Sequence, residues 1–123
     1  MTDNPILRAI DKKIADLEEL FFDVAVALGV NRISGDYVEF GSWGGNTLRM
    51  AYETLSPAGR HLWAFDSFSG LPEPADPRDV HPGWRSGGEG QGRVEAFHAV
   101  CAEHGIAPDA YTAVEGYFDD VLP

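Results

Sequence analysis

Two carboxylates and two glycines stand at spacings that suit a nucleoside pocket. Glu39 lies near the end of the run Tyr37-Val-Glu-Phe-Gly41, and Asp66 closes a second run, His61-Leu-Trp-Ala-Phe-Asp66. Between them, Gly41-Ser-Trp-Gly-Gly45 leads into Asn46-Thr47. An acid that ends the second strand of a parallel pair is placed to accept hydrogen bonds from a ribose diol. Glycines directly after the first strand let the backbone turn and approach a ligand closely.

The glycine spacing narrows the ligand. A dinucleotide fingerprint has Gly at its first, third and sixth positions, so that backbone can touch a pyrophosphate. Here the first is Gly41 and the third is Trp43, whose indole blocks that approach. No lysine follows Lys13, so a phosphate-binding P-loop lysine is absent as well. What remains is Glu39-x-Gly41-x-x-x-Gly45, a pattern that suits a nucleoside without phosphates, of which S-adenosylmethionine (SAM) is the common one. Taken alone, the turn fits an ordinary packing turn equally well; Asp66 and its surroundings favour the pocket. Two alternatives stay open: an NAD(P)-dependent oxidoreductase with an atypical glycine loop, and a non-catalytic remnant that binds SAM or only dimerises.

These residues need a scaffold, and the pattern supplies one. Residues 5–29 carry Ile6, Ile10, Ile14, Leu17, Phe21, Val24 and Leu28 at helical spacing, with Lys12, Lys13, Glu18 and Glu19 elsewhere on the helix. The spacing predicts an amphipathic helix, continuous or broken once, whose apolar face packs on the core; a cap over the cofactor or a dimer contact is the functional reading. Ser34-Gly35-Asp36 reads as a turn, 37–41 as a strand, 46–55 as a helix ended by Ser56-Pro-Ala-Gly59, and 61–66 as a strand. Residues 70–92 are rich in Pro and Gly and read as a long loop, either a surface insertion or a lid bearing His81, Trp84 and Arg85. A helix over 93–104, with Val94, Phe97 and Cys101 inward and Gly105 as its cap, precedes a strand over 111–115 that ends at Gly116-Tyr117-Phe118. The expected organisation is an N-terminal helical segment, 1–33, and the N-terminal half of a SAM-binding Rossmann-like domain, 34–123. The fold class is α/β: three parallel strands with flanking helices, in spatial order three-two-one, forming the first half of a doubly wound sheet. The first strand's outer edge is then unpaired, and the chain is expected to be part of a longer protein.

At this point the residues resemble a known family. Val38-Glu-Phe-Gly-Ser-Trp-Gly-Gly-Asn-Thr47, Leu62-Trp-Ala-Phe-Asp-Ser-Phe-Ser-Gly-Leu-Pro72 and Val114-Glu-Gly-Tyr-Phe-Asp-Asp-Val-Leu-Pro123 are similar to motifs of the macrocin O-methyltransferase-like (TylF/MycF-type) class I methyltransferases. The resemblance spans about residues 34–123. Gly44 stands where that family usually has Arg, and Asn46 where a third small residue is usual. The resemblance implies SAM-dependent O-methylation of a small-molecule hydroxyl, on a sugar or another natural-product scaffold. It implies that Glu39 addresses the methionine amine and that the backbone of Phe40, Gly41, Ser42, Trp43 and Gly45 lies against the methionine end. Asp66, with Ser67, would hold the ribose. Phe68, or Gly116 with Tyr117 and Phe118, would border the adenine. Catalytic base and metal ligands, magnesium included, would come only from residues after a fourth strand.

Composition excludes several partners. Nine Lys and Arg stand against twenty Asp and Glu, a formal net charge of −11 over 123 residues. Such a surface repels nucleic-acid phosphates and anionic membranes. A single cysteine, Cys101, forms no internal disulfide, as expected of a cytoplasmic protein. His98, Cys101 and His104 share a helix without a further ligand at fixed spacing, so no metal site is expected within the segment. A homodimer is a candidate assembly.

Overall fold

Glycine and proline punctuate this chain, and the sheet is built between the breaks. In the computed structural model, residues 4–42, 44–83, 85 and 93–123 are described. Asn4 caps the first helix, α1 (Pro5–Val30), through its side-chain oxygen, and Pro5 occupies the first turn, where a missing N–H costs nothing. No Pro or Gly interrupts α1 before Gly29, and the helix runs unbroken. Strand β1 (Tyr37–Phe40) follows, then helix α2 (Asn46–Leu55), a single 3₁₀ turn at Ser56–Ala58, and strand β2 (Leu62–Asp66). A second 3₁₀ turn at Pro77–Asp79 comes next, and helix α3 (Val94–Glu103), strand β3 (Tyr111–Glu115) and one helical turn, α4 (Phe118–Val121), complete the order. Each expected helix and strand matches its observed position to within a residue or two, while the 3₁₀ turn at Pro77–Asp79 and α4 were not expected. Gly41, expected as strand, leaves it because its φ of +87° is outside β space.

The three strands are parallel, with β2 between β1 and β3. The register sets Tyr37 beside Leu62 and Leu62 beside Tyr111. Side chains therefore divide between two faces with period two. One face carries Glu39, Leu62, Ala64 and Tyr111. It is covered by Leu48, Ala51 and Leu55 of α2 and by Phe97 and Cys101 of α3, which form the core. The opposite face carries Val38, Phe40, Trp63 and Phe65; Val38 and Phe40 are 46% and 57% exposed.

The N-terminal helix departs from expectation. Only Phe21, Ala25 and Leu28 pack against the core. Arg49 of α2 ties the helix down, bonding Glu18 at 2.9 Å while also holding Glu53. The first turns are less covered, with Ile6 69% and Ile10 48% exposed. Core packing thus accounts for the last turns of the predicted apolar face and leaves the first turns uncovered. A helix of 26 residues is about 39 Å long, more than three short strands can cover.

Candidate functional site

All three strands point their carboxyl ends at one cleft of about 720 Å³. Its walls come from Gly41 after β1, from Asp66, Ser67 and the Gly70–Leu71–Pro72 segment after β2, and from residues 116–120 after β3. Parallel topology dictates this convergence, because every crossover leaves its strand at the same end.

Two glycines steer the chain off the sheet. Gly41 donates its N–H to Phe65 O at 2.8 Å, and an added Cβ there would meet no atom within 4 Å. The position faces open space at the cleft. Gly116 donates to Asp66 O at 3.0 Å with φ +147°, and an added Cβ would lie 2.4 Å from Val121 Cγ1. Only glycine fits beneath α4.

Asp66 binds backbone on both sides. Its Oδ2 accepts the Ser42 N–H at 2.8 Å and its Oδ1 accepts the Phe68 N–H at 3.1 Å. One carboxylate thereby joins the glycine turn after β1 to the turn after β2. Each oxygen retains a further acceptor position. The second bond helps hold Phe68 at φ +53°, a left-handed conformation that costs a non-glycine residue on the order of 1–2 kcal/mol. That turn drives the Phe68 ring into the core, 4.9 Å from Phe97. Phe68 accordingly does not line the cleft, and the exposed aromatics at its wall are Tyr117 and Phe118. Phe118 rests edge-on against Phe40, whose ring in turn meets Phe65 on the outer sheet face. Ser67 lines the cleft and donates to Gly70 O at 2.9 Å, closing its own turn.

Beneath the glycine turn lies an incomplete polar cluster. Glu39 is 93% buried, its exposed fraction being 7%. Its Oε1 accepts hydrogen bonds from the hydroxyls of Tyr37 and Thr47. Burial and the adjoining carboxylate push the Tyr37 phenol well above its ordinary range, so it stays protonated and donates. Glu39 Oε2 and the Ser42 hydroxyl, also buried, have no hydrogen-bond partner among the described residues. A buried acceptor without a donor costs about 1–3 kcal/mol, more when charged. Gly45 is the N-cap of helix α2 and brings no side chain to cap its first amides.

The structure thus brings Gly41, Asp66, Ser67, Gly116, Tyr117 and Phe118 to one cleft. Glu39, Ser42 and Gly45 stand around the adjoining turn, and Gly45 abuts Val100 of α3. Trp43 lies outside the described residues, as does Trp84 of the expected lid. Sequence reasoning missed Tyr37 and Thr47 as the groups that hold Glu39, and it missed Gly70, Leu71 and Pro72 as cleft wall. The Leu-Pro pair after Asp66 was the available signal for the wall. Among the described residues, no three of His, Cys, Asp or Glu gather as a metal site. His98 instead meets the Tyr111 hydroxyl. No described helix is long and apolar enough to cross a membrane.

The comparisons agree with this geometry. No curated protein matches the chain significantly. Among solved structures, the O-methyltransferase NovP superposes with a TM-score of 0.64 at 22% identity, over 91% of this chain and 48% of its own. CalS11, a calicheamicin methyltransferase, gives 0.51 at 19% identity, over 94% of this chain and 60% of its own. The chain spans about half the length of these structures, and its partial parallel sheet corresponds to the first part of their fold. The model of the macrocin-O-methyltransferase (TylF) family matches residues 10–123, nearly the whole chain, and the protein belongs to that family.

Proposed function

We propose that this chain forms the methyl-donor site of a SAM-dependent O-methyltransferase acting on a small-molecule hydroxyl, on a sugar or another natural-product scaffold. The observation that carries the reading is the unsatisfied buried pair, Glu39 Oε2 and Ser42 Oγ, under a glycine turn at the cleft. A carboxylate oxygen held there without a donor suits a ligand that brings a cationic N–H group, as the methionine end of SAM does.

SAM, when bound, supplies an electrophilic sulfonium methyl for in-line displacement. The protein's task is then to bind and orient. Glu39, fixed by Tyr37 and Thr47, would receive the ammonium. The uncapped first turn of α2 presents positive potential to a carboxylate. Asp66 would use its remaining acceptor positions for the ribose hydroxyls while its backbone bonds keep it from swinging away. Tyr117 or Phe118 would border the adenine, and Leu71 with Pro72 would help exclude water. Membership of the family and the likeness to two methyltransferases support O-methylation as the reaction.

Isothermal titration of the chain with SAM, S-adenosylhomocysteine and NAD tests the assignment. Binding of both adenosyl ligands with no heat from NAD is expected. Tighter binding of NAD than of either would refute it.

A further inference from the structure

We propose, on the donor-site reading given above, that Phe21 and Tyr37 are positioning residues: the seat of α1 on the body orients Glu39, and through Glu39 it sets how strongly the cleft holds a ligand's amino group. Tyr37 and Glu39 stand two apart on β1 and so share its inner face. Two residues of parallel strand advance about 6.6 Å. A phenol lying along the strand spans that gap, and its hydroxyl donates to Glu39 Oε1 at 3.0 Å. Thr47, in the first turn of α2, donates to the same oxygen. Oε1 is gripped from the strand and from the helix, and Oε2 is the oxygen left over for a ligand. The last torsion of a glutamate is soft, so two donors from different elements fix the carboxylate as one donor does not.

Tyr37 is itself incompletely held. It is half-buried and borders a cavity of about 210 Å³ that it shares with Phe21, Val24 and Leu28 of α1. A void beside a side chain removes the contacts that would confine it, so the ring has room to swing off Glu39. The Phe21 ring stands against that movement, with its centroid 6.1 Å from that of Tyr37 and its plane tilted by 54°, within the range that aromatic pairs favour. Phe21 belongs to the stretch of α1 that packs on the core, with Ala25 and Leu28. The other donor is tied to the same helix. Arg49, two residues after Thr47, bonds Glu18 of α1 at 2.9 Å. That ion pair is partly exposed and contributes little by itself, so the aromatic contact carries most of the coupling.

The ribose end of the cleft is independent of this relay. Asp66 takes its orientation from the Ser42 and Phe68 amides and makes no bond to Tyr37 or Thr47. A change at Phe21 or Tyr37 should therefore be felt by ligands that carry an amino group and ignored by those that lack one.

Titration calorimetry with two ligands on one preparation of the chain tests this. The ligands are S-adenosylhomocysteine and its deamino analogue, which keeps the adenosine and the carboxylate. The ratio of their affinities does not depend on how much of a variant is folded. Tyr37→Phe keeps the ring and drops the hydroxyl. It should weaken S-adenosylhomocysteine about tenfold and leave the deamino analogue within about twofold. Phe21→Ala should lower the affinity ratio roughly three- to tenfold, and Phe21→Tyr, which keeps a ring there, should preserve it. In the Tyr37→Phe background Phe21→Ala should lower the ratio no further, because the relay is already cut. A ratio unchanged by Tyr37→Phe overturns the proposal, as does one that Phe21→Ala lowers equally in both backgrounds. Either result leaves the donor-site reading standing. Failure of that reading looks different: neither ligand binds the unaltered chain, and the relay falls with it.

Discussion

Replacing Glu39 by Gln should make the chain more stable and its cofactor binding weaker. The side chain is buried, and its Oε1 is held by two hydroxyls while its Oε2 has no donor among the described residues. Gln keeps an acceptor for Tyr37 and Thr47 and removes the uncompensated charge. An unsatisfied buried charged group costs more than an unsatisfied neutral amide, and the difference is about 1 kcal/mol. For a chain of this length that corresponds to a rise of roughly 3–5 °C in melting temperature. In the cofactor complex the sign reverses. A charge-assisted hydrogen bond to an ammonium is worth about 1.5–3 kcal/mol, and its loss weakens SAM binding by about 10- to 150-fold. Thermal melts followed by circular dichroism give the first quantity and titration calorimetry the second. If Glu39→Gln lowers stability while SAM affinity is unchanged, Glu39 is a structural residue and the donor-site argument fails.

The other predictions concern neighbouring residues. Asp66→Asn should lose both stability and SAM affinity, by about 1–3 kcal/mol in stability, because its carboxylate holds two backbone amides as well as facing the cleft; denaturant melts beside titrations would show a wrong ribose assignment if only stability falls. Gly41→Val should harm SAM binding more than Gly45→Ala, since a side chain at Gly41 enters open cleft whereas one at Gly45 meets Val100 at 3.4 Å; equal affinities by titration would make the turn a packing device only. Gly116→Ala should destabilise the chain by roughly 1–3 kcal/mol, and Val121→Ala should restore part of the loss in thermal melts by removing the 2.4 Å contact. Burial raises the Cys101 thiol above 9.0 and pushes the Tyr111 phenol up to about 12. Both groups hold their protons longer in the folded chain than in the unfolded one, so the stability they contribute is present below their ordinary values and is lost as pH rises through the raised ones, towards 12 for Tyr111; a pH series of urea melts should show that decline.

The strands were legible because their ends are chemically marked. Gly35-Asp36, Pro57-Ala-Gly59 and Gly105 each break the backbone where an element stops, and the apolar runs between them are too short for helices. The pairing of Glu39 with Gly41, and the position of Asp66, made the cleft legible through the fixed geometry of parallel strand ends. What the sequence hid depended on distances across the fold. Nothing local announces that Asp66 accepts the Ser42 amide 24 residues away, or that Thr47 reaches back to Glu39. The family resemblance implied Phe68 as one candidate to border the adenine; its left-handed backbone sends the ring into the core instead. The apolar face of α1 was visible as periodicity, but periodicity does not say how much body lies beneath it.

The parallel sheet has a kinetic consequence. Each pairing joins residues far apart in the chain: Tyr37 meets Leu62, and Leu62 meets Tyr111. The second closure spans about twice as many residues as the first, which adds only about 0.6 kcal/mol of loop entropy. Neither closure is repaid until most of a strand is in register, so folding of this chain is slow for its size, as expected for non-local topology. The β1–α2–β2 unit has the shorter closure and gains Leu48, Ala51, Leu55 and Leu62 together. It should form first, with β3 adding last. Substitutions in α2 would then slow folding, while those in β3 would mainly hasten unfolding. Because Gly116 and α4 follow β3, the far wall of the cleft is also the last part of the site to assemble.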